Sequence, residues 1–187
     1  DIEWPPIRLL YKLYSGLPET DRILHVATPN YDLLAEYAFE KAGILYSTGF
    51  VGGICRRLDW SQVDRDMCFQ ESGRIGRKIK PITKCKKHIR LYKVHGSLNT
   101  FRINNEIIEN NAWMNQSDMP FERLMITPGT SKHRLLHQNR TELLGVYDQA
   151  VEEHNAFLFI GFGFNDSQLC NDAILRKIKE QACPGII

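Results

Sequence analysis

Apolar and polar positions along the chain recur with periods that predict helices and strands in alternation. Residues 7–16 place their apolar side chains on one helical stripe that ends at a glycine. The apolar run 22–28 predicts a strand, 31–43 an amphipathic helix, and 44–48 a second strand. This order predicts a βαβ unit with parallel pairing. The inward stripe of its helix is expected to contain Leu33, Leu34, Tyr37 and Ala38.

The middle of the chain predicts further strands. Residues 88–94 alternate as a strand, and 123–127 form another short one. Between them, residues 100–110 predict a hairpin, because Asn104 and Asn105 tolerate the positive φ angles of a tight turn. Residues 49–87 show no clear period beyond one short helix, which predicts an irregular insertion over the sheet.

The last third of the chain returns to regular patterns. Residues 141–154 predict a helix, followed by the most continuously apolar run, 156–162, and a closing helix, 167–182. An unbroken apolar run is typical of a central parallel strand that is buried on both faces. The chain is therefore predicted to be a single α/β domain over residues 1–187, with an open, mostly parallel sheet and helices on both faces. The inward face of the 141–154 helix is expected to contain Leu143, Leu144, Tyr147, Ala150 and Val151.

Composition and charge narrow the class of protein. The chain has 187 residues, 43% hydrophobic and 25% charged, with a net charge of +2, values typical of a soluble globular domain. Nothing in this net charge demands a nucleic-acid partner. We interpret the basic run 77–90 as a solvated loop rather than a phosphate-binding segment. No segment is long and apolar enough to span a membrane.

Cysteine and histidine spacing predicts no metal site. The five cysteines include no C-x-x-C pair, which argues against a zinc ribbon, and their odd number argues against a disulfide framework. Free thiols in a reducing cytoplasm are expected. His133 and His137 have the spacing of paired ligands, but 128–140 is predicted to be a loop and offers no third ligand.

Three turns carry the candidate chemistry, because ligands of open α/β sheets bind beyond the carboxyl ends of the strands. These turns are residues 28–32, 95–99 and 161–166. If their strands are neighbours, the turns converge on one crevice that holds a carboxamide, an imidazole, a carboxylate and a glycine turn.

Each of these residues also has a purely structural interpretation. Asn30 is a good helix cap, and Asp32 in the first turn of a helix is favoured by the helix dipole. His95 is equally compatible with a polar residue that closes a strand. Gly161 and Gly163 suit any tight strand-to-helix turn, since a lone G-x-G is weak grounds for a phosphate site.

Taken together and in order, the three segments resemble a known family. "TPNYDLLAEYAFEKAG", "KVHGSLN" and "FLFIGFGFNDSQL" are similar to the T-x-N-Y-D-x-L-x-E, K-L-H-G-S and G-Y-S-F-x-D blocks of the sirtuin-like domains of bacterial anti-phage defence proteins. The resemblance covers most of residues 22–175. It implies a Rossmann-like fold that binds NAD as a substrate and hydrolyses it, so that NAD depletion halts an infected cell.

The resemblance also implies roles for individual residues. Asn30 and His95 match the family's catalytic asparagine and histidine. Asp32 would orient ribose hydroxyls and Thr28 would shape its turn, while the glycine turn would approach the adenosine side through its backbone. The implied NAD-binding residues are Thr28, Asp32, Gly96, Ser97, Gly161, Phe162, Gly163 and Asp166.

The chain departs from the family pattern in three places. It lacks the family's first strand and G-A-G-x-S pyrophosphate turn, which predicts either a fragment of a longer polypeptide or a degenerate copy. Gly163 stands where the family has a serine. The paired cysteines of the sirtuin zinc module are absent, which argues against a protein deacylase.

The expected function is therefore an NAD glycohydrolase in prokaryotic defence. The alternatives are a non-catalytic NAD or ADP-ribose sensor and an NAD-dependent protein deacylase. The resemblance further implies a cytoplasmic homo-oligomer, with a HerA-type ATPase or a phage component as possible partners.

Overall fold

The computed structural model describes residues 4–76, 78–125, 132–166, 169, 172–180 and 185–186. The helices are α1 (Ile7–Ser15), α2 (Leu34–Lys41), α3 (Trp60–Met67), α4 (Lys132–Glu153) and α5 (Asp172–Glu180), with a short 3-10 helix at Asn111–Trp113. The strands are β1 (Ile23–Thr28), β2 (Tyr46–Ser47), β3 (Phe50–Gly52), β4 (Arg56–Leu58), β5 (Cys68–Ile75), β6 (Lys78–Cys85), β7 (His88–Lys93), β8 (Gly96–Ile103), β9 (Glu106–Glu109), β10 (Glu122–Met125), β11 (Phe157–Leu158) and β12 (Gly185–Ile186). The structure confirms the α/β fold class.

A three-stranded parallel sheet in the order β1-β7-β2 forms the centre of the fold. The parallel orientation of β1 and β2 is confirmed, but both strands pair with β7 rather than with each other. Ile89 and Leu91 are completely buried in β7. β7 lies between β1 and β2 because its side chains contribute to hydrophobic cores on both faces of the sheet.

A five-stranded antiparallel sheet in the order β10-β8-β9-β4-β3 extends the fold. The predicted hairpin is confirmed as β8–β9, with φ angles of 48° at Asn104 and 66° at Asn105. Only residues 94 and 95 separate β7 from β8, so the chain passes from the parallel to the antiparallel sheet at His95.

The segment 49–87 is more regular than expected. The predicted short helix is α3, whose first turn is capped by Asp59 through a 2.9 Å hydrogen bond from the Gln62 backbone N–H. β3 and β4 join the antiparallel sheet, and β5 and β6 form a separate two-stranded ribbon. The interpretation of 77–90 as a loop was wrong, because paired strands occupy most of this run.

The buried face of helix α2 matches the expectation only in part, since Leu33 is buried and Ala38 half-buried as predicted. Ala35, Glu36 and Phe39 are buried, whereas Leu34 is 41% and Tyr37 60% exposed. Glu36 was not among the residues predicted to face inward. A buried lysine from β7 pairs with this carboxylate and allows it to face the core.

The carboxyl-terminal elements correct two expectations. Helix α4 already includes residues 132–140, which fall largely within the predicted loop; its inward face is as predicted, with Leu143 half-buried. The run 156–162 is not a central strand, because β11 pairs with β12 and Leu158 is 40% exposed. Its phenylalanines pack against the α4–α5 core on one side only, which leaves the other side exposed.

Some expectations fall outside the described residues. These are the end of the 123–127 strand, the first residues of the 128–140 loop and the side chains of His133 and His137. Within the described part of the chain, no helix is long and apolar enough to cross a membrane.

Candidate functional site

The first two candidate turns leave the same edge of the parallel sheet and are bonded to each other. β1 and β7 run side by side from Ile23 opposite His88 to Thr28 opposite Lys93. Beyond the strands, the carbonyl oxygen of Tyr31 accepts hydrogen bonds from the Ser97 hydroxyl and the Leu98 backbone N–H, each 3.0 Å long. The predicted convergence of the turns at 28–32 and 95–99 is therefore observed.

A buried ion pair reinforces this junction. The Lys93 ammonium lies 3.2 Å from a carboxylate oxygen of Glu36 and donates to the carbonyl oxygen of Asp32. Burial raises the pKa of Glu36, and the positive charge of Lys93 opposes that rise. Sequence analysis did not single out this pair, although Glu36 closes the first motif block and Lys93 opens the second.

His95 lies where the third turn meets the other two. Its side chain is 6% exposed, and its Nε2 lies 2.9 Å from a carboxylate oxygen of Asp166. A carboxylate at this distance favours a hydrogen on Nε2, so that Nδ1 is the basic nitrogen of the neutral ring. The 161–166 turn therefore reaches the site through the side chain of Asp166. The strand before this turn, β11, is not part of the three-stranded parallel sheet.

In the turn after β1, Asp32 and Asn30 make different contacts. Helix α2 begins at Leu34, and the carboxylate of Asp32 accepts its backbone N–H at 3.0 Å. Asn30 is exposed, and its backbone N–H donates to the Thr28 hydroxyl at 3.2 Å. Asp32, which precedes the N-cap residue Leu33, therefore bonds the first N–H of the helix, and Asn30 lies exposed one residue before Tyr31.

Gly96 and Ser97, at the start of β8, contact β10 and the 28–32 turn, respectively. Gly96 has φ +76°, and a Cβ there would lie 1.8 Å from the carbonyl oxygen of Leu124 in β10. Only glycine permits this close approach of two backbones. Ser97 is buried and bonded to Tyr31. A contact of either residue with NAD stays a prediction.

The glycine turn carries a cluster of aromatic rings. Gly161 has φ +60°, a left-handed backbone conformation that glycine adopts without strain. The ring centroids of Phe159, Phe162 and Phe164 lie 4.8–6.1 Å apart. The rings of Phe159 and Phe162 are nearly parallel, at 18°, and Phe164 is tilted by 55° and 57° against them, which makes an apolar cluster close in sequence to Asp166. Gly163, where the family has serine, is exposed in the same turn.

A second polar cluster lies near the end of β2 and was missed by sequence analysis. Glu109 is buried and contacts Arg56 at 3.0 Å, the Asn99 amide at 3.1 Å and the Thr48 hydroxyl at 3.4 Å. Burial raises the pKa of Glu109. A cavity of about 360 Å³, lined in part by Thr48 and Arg56, opens beside it. Asn99 belongs to the second motif block, whereas Glu109, Arg56 and Thr48 come from two other strands and a loop that no motif marks.

The described residues include no group of three or more histidine, cysteine, aspartate or glutamate side chains placed to hold a metal ion.

A parallel sheet with polar turns at its carboxyl edge places this chain among the α/β domains that bind ligands at that edge. Comparison with protein families gives a match to the SIR2-like domain over residues 24–182. The chain belongs to the SIR2-like domain family, which confirms the resemblance to sirtuin-like domains and indicates an NAD-related activity. No curated protein matches the chain.

Proposed function

We propose that this domain hydrolyses NAD to nicotinamide and ADP-ribose. The observation that carries the proposal is the placement of His95, buried at the end of the central strand with Asp166 against its Nε2. The 28–32 turn, which carries Asn30, is bonded to the strand that follows His95. Together these residues supply a base, its partner and a carboxamide at the edge of the sheet where α/β domains bind nucleotides.

The reaction makes use of each group. The bond between C1′ of the ribose and the nicotinamide nitrogen breaks, and its electron pair leaves with neutral nicotinamide. Positive charge builds on the ribose, and a water oxygen bonds to C1′. In the proposal Asn30 positions that water, and His95 accepts its proton. Asp166 stabilises the resulting imidazolium and holds the ring in place.

The assignment is tested in the full-length protein by measuring nicotinamide released from NAD. We expect His95→Ala to lower the rate by about 100-fold or more, the usual loss when a group that acts in proton transfer is removed. We expect Asn30→Ala to lower it by about 100-fold, because the attacking water is no longer held in position. Gln149→Ala, which removes an exposed carboxamide from α4, is the matched control and is expected to keep the wild-type rate. Near-normal release by both variants would contradict the assignment of these residues.

Two other functions give different results in the same assay. An NAD or ADP-ribose sensor, favoured by Gly163 in place of the family's serine, binds NAD in calorimetry while nicotinamide stays attached. A protein deacylase releases nicotinamide only when an acylated peptide is present.

We extend the proposal to anti-phage defence on the strength of the three motif blocks. In that setting the domain works in the cytoplasm as a homo-oligomer, and a HerA-type ATPase or a phage component controls it. Infected cells that express the full-length protein are expected to lose NAD, and cells that express His95→Ala to retain it. Equal NAD levels in the two cultures would contradict the defence role.

A further inference from the structure

The ribbon formed by β5 and β6 places two cysteines directly opposite each other at its base. The two strands pair antiparallel over eight positions, from Cys68 opposite Cys85 to Ile75 opposite Lys78. The ribbon pairs with neither the three-stranded nor the five-stranded sheet. Both thiols are free.

The hydrogen bonds of the ribbon show which kind of cross-strand pair the cysteines form. The backbone N–H of Lys86 donates to the carbonyl oxygen of Met67 at 2.8 Å. Continuing the register, Met67 and Lys86 are directly opposite each other, which makes them a hydrogen-bonded pair. Such pairs alternate along an antiparallel ladder with non-hydrogen-bonded ones, so Cys68 and Cys85 are a non-hydrogen-bonded pair.

This kind of pair has the spacing that a disulfide requires. Opposite residues in a non-hydrogen-bonded pair have Cα atoms about 4.5 Å apart and side chains that project to the same face. Disulfides bridge Cα separations of about 4.4–6.8 Å. The register therefore places Cys68 and Cys85 within the range of Cα separations that a disulfide bridges.

The two thiols differ in their surroundings. Cys68 is exposed, and Cys85 is half-buried, which raises the pKa of the Cys85 thiol. Nδ1 of His88 lies 2.8 Å from the carbonyl oxygen of Lys86, so this nitrogen carries the hydrogen. The same Nδ1 is 3.9 Å from the Cys85 sulfur and offers its hydrogen to a thiolate formed there.

We propose that Cys68 and Cys85 are a reversible thiol–disulfide site that responds to small disulfides such as oxidised glutathione. The Cys68 thiolate attacks one sulfur of glutathione disulfide and releases the first glutathione. The Cys85 thiolate then attacks the Cys68 sulfur and releases the second. The cysteine pair loses two electrons and two protons, and glutathione disulfide gains them as two thiols.

The site is separate from the candidate NAD crevice. Cys85 lies three residues before His88, at the amino end of β7, whereas His95 follows its carboxyl end. Oxidation closes a covalent ring around residues 69–84 and fixes the register of the ribbon. The exposed positive charges of Lys78 and Lys80 are then held on one face, because every second residue of a strand points to the same side.

The proposal is tested with the intact chain in glutathione buffers of increasing oxidation, followed by alkylation, trypsin and mass spectrometry without reduction. The expected product is peptide 66–74 joined to the peptide that carries Cys85, two hydrogens lighter than the reduced pair. Dithiothreitol is expected to separate the peptides. Cys55→Ser is the matched control, since it removes an exposed thiol and leaves the pair in place.

Two further variants complete the test. Cys68→Ser and Cys85→Ser are each expected to abolish the joined peptide. The yield is expected to fall when the chain is oxidised in denaturant, because the register no longer aligns the thiols. Oxidation of the folded chain that gives only glutathione adducts or links between chains, with no bond between Cys68 and Cys85, would overturn the proposal.

Discussion

The buried ion pair between Lys93 and Glu36 gives the sharpest prediction about how the site is held together. Lys93→Met removes the ammonium and keeps most of the side-chain volume. The two side chains are only 9% and 10% exposed, so the variant leaves a buried carboxylate without its partner. Removing one partner of a buried pair costs about 3–5 kcal/mol. In a chain of this size that lowers the thermal midpoint by about 6–20 °C.

The loss is expected to depend on pH in a defined direction. Burial raises the pKa of Glu36 above its ordinary value of 4.5, and Lys93 opposes the rise, so Lys93→Met raises the folded-state pKa further. A carboxyl group with a higher pKa in the folded state stabilises the folded protein at pH values below the pKa of the unfolded chain. This stabilisation is lost as the pH rises through the pKa of the folded state. The variant is therefore expected to be most destabilised at neutral pH and least near pH 4.5.

Urea unfolding followed by circular dichroism measures both effects. Glu36→Gln is the matched variant, because its uncharged amide still accepts a hydrogen bond from Lys93 and is expected to cost about 1–3 kcal/mol. The reasoning would be refuted if Lys93→Met lost less than about 1 kcal/mol, or lost the same amount at both pH values.

Three further predictions concern the site and the core. Asp166→Asn in the full-length protein is expected to lower kcat for nicotinamide release by about 100-fold, with KM and the thermal midpoint unchanged, because the charge beside His95 is lost; an unchanged kcat would remove Asp166 from the mechanism. Gly96→Ala is expected to cost about 2–5 kcal/mol in urea unfolding, since a left-handed φ and a backbone clash add together, whereas Gly43→Ala, with a similar φ and open space, is expected to cost about 1–2 kcal/mol; equal losses would contradict the clash. Burial lowers the pKa of His25 to about 4. His25 therefore contributes about 3 kcal/mol to the free energy of unfolding above pH 6.5, and this contribution is lost as the pH falls towards 4. His25→Gln is expected to flatten the dependence of stability on pH, and an unaltered pH profile would exclude His25 as its source.

Features set by neighbouring residues were predictable from the sequence. The hairpin at Asn104 and Asn105 follows from two residues that accept positive φ. The parallel course of β1 and β2 follows from the helix between them. The inward face of α4 follows from a helical period that the buried core preserves.

Features that depend on distant partners were not predictable. The burial of Glu36 depends on its partner Lys93, which lies 57 residues away in the chain. β7 takes the centre of the parallel sheet although it comes long after β2 in the chain. The apolar run 156–162 meets core on one face only, which its composition does not reveal.

The candidate site combines residues that the sequence predicted with contacts that only the folded chain reveals. The motif blocks located Asn30 and His95, but the contact between His95 and Asp166 arises from the folded chain. The hydrogen bond from Ser97 to the carbonyl oxygen of Tyr31, which joins the two loops, likewise depends on folding, and the expected contact of Ser97 with NAD stays a prediction.

The central claim is that the three turns form one site in which His95 takes up the proton of NAD hydrolysis. The most direct test is the amount of nicotinamide and ADP-ribose that the full-length protein produces from NAD alone. The wild-type protein is expected to release the two products in equal amounts, and His95→Ala to bind NAD while releasing neither at more than about one hundredth of the rate. Release by His95→Ala at the wild-type rate would contradict the claim.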